Sequence, residues 1–177
     1  EIYADSVVNH MAAAPSADSY GVAGTLYQPG RKYAPYDYDA EMTHHTDGDS
    51  ASNCAVIDYT DAWNVQNCDL VGLVDLDTQD SSVRAIIGAY LQDLIAHGAS
   101  GVRIDAAKHM PTADVGAILG YLPNGAFAFQ EVIYGAGEAV TPDEYTTNGF
   151  VTEFRFGTNI YDNFNSNVDS KMQYMTT

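Results

Sequence analysis

The sequence predicts an α/β fold built from parallel βα units. Three observations carry that expectation. Val83, Ile86, Ile87, Tyr90, Leu91, Leu94 and Ile95 recur with the 3.6-residue period of an amphipathic helix. A short apolar run, Gly101-Val-Arg-Ile-Asp105, follows directly. A second helical run and a second buried strand, Ala126-Phe-Ala-Phe-Gln-Glu-Val-Ile133, come next with short turns between them. A doubly wound sheet and a (β/α)8 barrel both generate this order. No Gly-rich phosphate-binding fingerprint follows any strand, which counts against the nucleotide-binding version.

Taken in order, residues 2–9 form a β-rich run that breaks at Asn9-His10. From Met11 to about Leu73 there is no helical periodicity, and Gly, Pro, Tyr, Asp and Ser dominate. A structureless loop of that length inside a compact domain would be unusual, so 11–74 reads as an irregular inserted domain. Within it, His44-His45-Thr-Asp-Gly-Asp-Ser50 is expected to be an exposed polar turn rather than a metal site. The long helix has Asp80 or Ser81 to cap its start and Gly98 to end it. The strand 101–105 follows, then a helix from Thr112 to about Leu122 and the strand ending near Glu131. A polar loop over 135–148 leads to a last strand, Phe150-Val-Thr-Glu-Phe-Arg-Phe156. Residues 157–177 are polar and at first poor in helix signal.

Charge narrows the partners. The chain of 177 residues carries a net charge of −17 with only 7 basic residues, which argues against nucleic acid or an anionic membrane surface. Solubility accounts for most of the acidity, and a subset of the carboxylates is free to bind a cation. No apolar run approaches the roughly 20 residues needed to span a bilayer. No secretory leader is visible, and Glu1-Ile-Tyr-Ala-Asp5 reads as the inside of a strand, so the chain is expected to begin mid-fold. The two cysteines, Cys54 and Cys68, lie close together in the inserted region. They suggest a disulfide and an oxidising, extracellular setting. Closing a loop of about 15 residues contributes roughly 3 kcal/mol.

The stretch 101–110 gathers the chemistry. Successive side chains of a strand face opposite ways, so Val102 and Ile104 turn towards the helices while Arg103 and Asp105 share the other face. Two charged groups at the carboxyl end of a buried strand build a poor core and a good site. Asp105 and Glu131 end successive parallel strands, which lie about 4.8 Å apart if they are neighbours. Their carboxyls would then stand near the roughly 5 to 5.5 Å that retaining glycoside hydrolysis needs. Arg103 would hold Asp105 ionised. Glu131 follows Phe127 and Phe129, an apolar neighbourhood that favours the protonated carboxyl of an acid catalyst. The alternative is a structural ion-pair layer.

Asp5-Ser-Val-Val-Asn-His10, Gly101-Val-Arg-Ile-Asp-Ala-Ala-Lys-His109 and Phe129-Gln-Glu-Val-Ile133 resemble, in order, three of the four hallmark regions of the α-amylase family of glycoside hydrolases. The segment Asn64 to Met110 is also similar to the secreted actinobacterial and animal-type members. The resemblance implies a (β/α)8 barrel with an inserted domain after its third strand. Residues 1–10 would be the third barrel strand, 11–74 the insert, and 75–177 the fourth to sixth strands with their helices. Strands before and after these would be missing, so the chain would be a fragment, poorly folded and inactive by itself.

The roles implied by the resemblance are specific. Asp105 matches the nucleophile and Glu131 the general acid/base. Arg103 matches the arginine that steadies the nucleophile and in some members binds chloride. His10 matches a sugar contact at the cleavage subsite, Lys108 and His109 match contacts on the leaving-group side, and Tyr59 an aromatic contact in the insert. Asn9, Asp75 and the carbonyls of Gln66 and His109 match ligands for Ca2+, which would staple insert to barrel. The fourth region, with a third carboxylate, is absent, and the remaining chloride positions would lie beyond Thr177. The expected activity is endo-acting, retaining hydrolysis of α-1,4-glucosidic bonds in starch or glycogen by a secreted enzyme, monomeric at full length. An α-glucan transglycosylase and a non-catalytic carbohydrate-binding relative are the alternatives.

Overall fold

The computed structural model describes residues 1–34, 38–44 and 54–165. In chain order it contains β1 (Tyr3–Ser6), β2 (His10–Met11), β3 (Ser19–Tyr20), β4 (Leu26–Gln28), β5 (Lys32–Tyr33), α1 (Ala62–Asn67) and β6 (Val74–Asp75). Then come α2 (Ser81–Ala96), β7 (Gly101–Ile104), α3 (Thr112–Leu119), β8 (Phe127–Gln130), α4 (Pro142–Tyr145), β9 (Phe150–Val151) and α5 (Phe154–Asn165). The order β1-β7-β8-β9 makes one four-stranded sheet, and every pairing in it is parallel.

The alternation expected for 101–105 holds. Val102 and Ile104 are fully buried against the helical layer, as are Val83 and Leu91 of α2 and Val115 and Ile118 of α3. Each such side chain contributes about 1.5–3 kcal/mol. The helix α2 begins where Asp80 accepts a hydrogen bond from Ser82 N at 2.7 Å and ends ahead of Gly98, whose φ of +104° favours glycine. On the opposite face of the sheet, Tyr3 and Phe127 meet edge-on at 5.3 Å across Gly101, and Phe127 packs on Phe150 at 5.2 Å. Glycine at 101 is required by this close approach: a Cβ there would stand 2.2 Å from the carbonyl oxygen of Phe127.

Between β1 and β7 the chain makes a long excursion with its own sheets. It leaves at β2 and returns at β6, which pair antiparallel with His10 opposite Asp75. Leu76 N also donates to the carbonyl of Asn9 at 2.9 Å. The strands β3, β4 and β5 form a separate antiparallel sheet. Cys54 and Cys68 are disulfide-bonded, as their spacing suggested.

Four local expectations are corrected. The excursion holds a helix, α1, started by Asp61, which accepts from Trp63 N at 2.9 Å. Only Val65 of α1 is buried, so no periodic stripe announces it. The loop 135–148 contains α4, with a capping box between Thr141 and Glu144 and Pro142 in the first turn. The last strand stops at Val151, and Phe154-Arg-Phe begins α5 instead. Finally, His44 is not in an exposed turn: its side chain is 13% exposed and its Nδ1 lies 2.5 Å from Asp75 Oδ2. His45 lies outside the described residues.

Candidate active site

The parallel ladder runs one residue past the strands and lifts two carboxylates to the same level. Asp105 N donates to the carbonyl of Ser6 at 3.0 Å, and Glu131 N to that of Ile104 at 2.9 Å. Asp105 and Glu131 therefore end adjacent parallel strands, as the sequence predicted. Arg103 lies between them on the same face. Its Nη1 is 2.8 Å from Asp105 Oδ1 and also binds Asp5, and its Nη2 is 2.6 Å from Glu131 Oε1. One planar guanidinium thus spans three carboxylates, a task suited to its fixed fork of donors. Burial works against the arginine's charge, but the hydrogen bonds it donates to Asp5 and Asp105 and the charge of Glu131 outweigh it and raise its pKa.

The surroundings of Glu131 differ from the apolar neighbourhood expected. Besides Arg103, its Oε2 accepts from Ala106 N at 3.0 Å. Ala106 adopts a left-handed φ of +49°, a conformation that L side chains avoid, and this turn aims its N–H across the strand gap. The strained residue directly follows Asp105, so the backbone bends sharply just past that carboxylate and meets Glu131 with its N–H.

Beside them opens a cavity of about 340 Å³ lined by Tyr59, Leu70, Ala106, Lys108, His109, Glu131, Ile133 and Glu138. The structure thus brings Tyr59, Lys108 and His109 together with Glu131. Lys108 is almost fully buried: Nζ donates to the carbonyl of Ile133 at 2.8 Å, pairs with Glu138, and lies 4.7 Å from the centre of the Tyr59 ring. Burial works against the charge of Glu138, but Lys108 and the amide of Gly135 hold its carboxyl below the ordinary value. Sequence reasoning missed Glu138, since nothing in Gly135-Ala-Gly-Glu138 marks it beyond its charge. His109 Nδ1 donates to the carbonyl of Val65 at 2.9 Å, which fixes the tautomer, and burial lowers its pKa. His10 also has its pKa lowered by burial, against the pull of Asp105.

A second cluster sits at the neck of the excursion. Asn9 Nδ2 donates to Asp75 Oδ1 at 3.0 Å, and both residues are buried. Burial opposes a charge on His44, but hydrogen bonds to Asp75 and Asp77 carry its pKa up to about 9. Arg31, buried and at a φ of +59°, holds Asp69 at 2.7 Å, and Asp69 accepts from Asp75 N at 3.0 Å. Gln66 stands apart from Asn9 in its contacts: its side chain reaches Tyr145 Oη at 3.0 Å. The Nδ1 bond of His109 to Val65 ties the turn 107–109 to α1, which carries Gln66.

Comparison with known proteins agrees with this geometry. No family model matches the chain. It is 44% identical over 159 residues to an α-amylase of Streptomyces violaceus, covering 88% of this chain and 26% of that protein. It is 39% identical over 178 residues to an α-amylase-related protein of Drosophila pseudoobscura pseudoobscura, covering 94% and 35%. Among solved structures, a glutamate-to-glutamine variant of α-amylase I from Eisenia fetida in complex with maltohexaose superimposes with a TM-score of 0.90 and 34% identity, over 99% of this chain and 37% of that one. The chain spans about a quarter to a third of the length of these relatives. Its parallel sheet and covering helices make up part of a (β/α)8 barrel. On this sequence identity, and on a structural match over almost its whole length, the chain belongs to the α-amylase family of glycoside hydrolases.

Proposed function

We propose that this chain carries the catalytic strand ends of a secreted, endo-acting, retaining hydrolase of α-1,4-glucosidic bonds, with starch or glycogen as substrate. The strands β1, β7, β8 and β9 would be the third to sixth of the barrel. The observation that carries the reading is the placement of Asp105 and Glu131 on adjacent parallel strand ends, joined through one arginine. Neighbouring strands about 4.8 Å apart, with both acids at the same level, suit the close carboxyl pair that a double displacement uses. The maltohexaose in complex with the Eisenia fetida enzyme supports the choice of substrate.

In the first step a carboxylate oxygen of Asp105 attacks the anomeric carbon. The bond to the glycosidic oxygen breaks, and Glu131 gives that oxygen a proton. In the second, Glu131 takes a proton from water, whose oxygen displaces Asp105 and regenerates the carboxylate. Arg103 steadies Asp105 throughout. Glu131 has to release Arg103 to carry a proton, which leaves the guanidinium to Asp5 and Asp105. Tyr59, His10, Lys108 and His109 orient the sugars, and the amine of Lys108 is held for that task by Glu138 and Ile133.

Calcium is proposed at the neck of the excursion, held by Asn9, Asp75 and the carbonyls of Gln66 and His109. Among the described residues no three His, Cys, Asp or Glu side chains gather as a metal site. The fit rests instead on hard amide and carbonyl oxygens and one carboxylate, a donor set that suits calcium. Asn9 Oδ1 is buried without a hydrogen-bond partner among the described residues, while its Nδ2 is bound to Asp75. When bound there, calcium would tie the excursion to the barrel. Chloride fits less well: among the described residues, the only guanidinium at the site is shared by three carboxylates, so no step is assigned to an anion.

Trapping the full-length protein with a 2-fluoro sugar and mapping the labelled peptide tests the mechanism. Label on Asp105 is expected, and label on another residue or an inverted first product would overturn it.

A further inference from the structure

Tyr145 ends α4, is fully buried and touches neither carboxylate. Its hydroxyl is used in both directions. It accepts from Gln66 Nε2 at 3.0 Å and donates to the carbonyl of Met110 at 2.6 Å, with the carbonyl of Lys108 at 3.2 Å. Its own backbone carbonyl accepts from Gln130 Nε2 at 3.1 Å. These partners come from separate pieces of the chain. Gln66 belongs to the excursion, Lys108 and Met110 flank His109, and Gln130 immediately precedes Glu131.

The platform beneath Tyr145 is fixed. The capping box between Thr141 and Glu144 sets the start of α4, and Thr112 Oγ1 donates to the carbonyl of Glu144 at 3.1 Å. Asn148 Nδ2 donates to the carbonyl of Thr112 at 2.7 Å. The phenol therefore projects from a braced turn towards the junction of α1 and the turn 107–109. Burial pushes its pKa up, so it remains a neutral donor and acceptor across the physiological range.

We propose that Tyr145 is a positioning residue: its hydroxyl sets the spacing between α1 and the turn that carries Lys108 and His109. This rests on the function and ligand set proposed above. The carbonyl of His109 lies between the two carbonyls that face the phenol, and Gln66 is gripped by its side chain, which fixes where the residue and its main-chain oxygen stand. The same hydroxyl thereby presets both the cation ligands and one wall of the sugar cleft.

The test uses the full-length protein with Tyr145→Phe, Gln66→Met and the double variant. Calcium affinity is measured by calorimetry on chelator-treated protein, and kcat and KM on a maltoheptaoside. Loss of the hydroxyl and its hydrogen bonds is expected to raise the calcium Kd about tenfold in Tyr145→Phe. KM should rise several-fold with kcat within about twofold. The double variant should be no worse than Tyr145→Phe, because the bond that Gln66→Met removes is already gone when the hydroxyl is. Gln66→Met tests that bond if Tyr145→Phe does not fold. A lowered Tm with unchanged Kd and KM, or additive effects, would overturn the proposal alone. A wild type that neither binds calcium nor cleaves α-glucan would overturn the functional reading along with it.

Discussion

Arg103 Nη2 lies 2.6 Å from Glu131 Oε1 on the neighbouring strand, while Nη1 of the same side chain is 2.8 Å from Asp105 Oδ1. The two carboxylates are therefore not independent. Anything that moves the guanidinium moves both, and the site behaves as one charged unit with a single cation among three acids.

Replacing Arg103 should thus cost more than one ion pair. Arg103→Leu leaves the acids partly buried and mutually repelling, a loss of about 3 kcal/mol in stability and at least a thousandfold in activity. Arg103→Lys should rescue little, since a point-like ammonium cannot span the set. Steady-state kinetics and thermal unfolding of the full-length variants check this. Activity within tenfold of wild type in Arg103→Lys would count against the shared-arginine arrangement.

Gly101 is the packing counterpart. A methyl group there meets the backbone of β8, which has nowhere to retreat inside a paired sheet. Gly101→Ala should destabilise by about 1–3 kcal/mol, as overpacking does. It should also lower kcat, because pushing β7 from β8 separates Asp105 from Glu131. A variant as stable and active as wild type would show that the strands yield freely.

The Lys108–Glu138 pair gives a pH signature. Glu138 titrates below its ordinary value of 4.5 in the folded chain. A lowered folded pKa means that the pair's contribution is fully present above the glutamate range and is lost as pH falls through the folded value. Glu138→Gln should cost about 1 kcal/mol near neutral pH. Thermal melts from pH 7 down to about 3 should show the gap to wild type closing in acid, and a gap that stays constant would refute the assignment.

Asn9 offers a probe of the proposed cation. Asn9→Ala removes the orphaned oxygen and the donor to Asp75 together, and should abolish most of the rise in Tm that calcium gives the wild type. An undiminished calcium-dependent rise would place the ion elsewhere.

Much of this is legible in the sequence. The stripe from Val83 to Ile95 and its terminal residues located α2, because a long helix on a core shows its period. The two acids at strand ends are readable for a related reason: charge on the inward face of a buried strand makes a poor core, which leaves an ion-pair layer or a site. What stayed hidden was short or convergent. α1 buries one residue and leaves no pattern, although Asp61 is a fair capping signal. Phe154-Arg-Phe156 alternates like a strand, and only the later spacing of Ile160, Tyr161 and Phe164 reveals a helix. The pairing of Gln66 with Tyr145 spans 79 positions, and no local rule connects a glutamine in a loop-like segment to a tyrosine so far away.

The neck formed by β2 and β6 has a consequence for how such a chain can change. Because the excursion departs and returns at one antiparallel pair, its length exerts no leverage on the spacing of β1 and β7. It is a cassette. Residues such as Tyr59 are exchangeable together with their segment, provided Gln66 keeps its bond to Tyr145, whereas Arg103 and its acids are locked into the sheet. Diversification among relatives should therefore concentrate in the cassette, and grafting a foreign one at positions 11 and 74 should alter which sugars are gripped while leaving the bond-breaking pair intact.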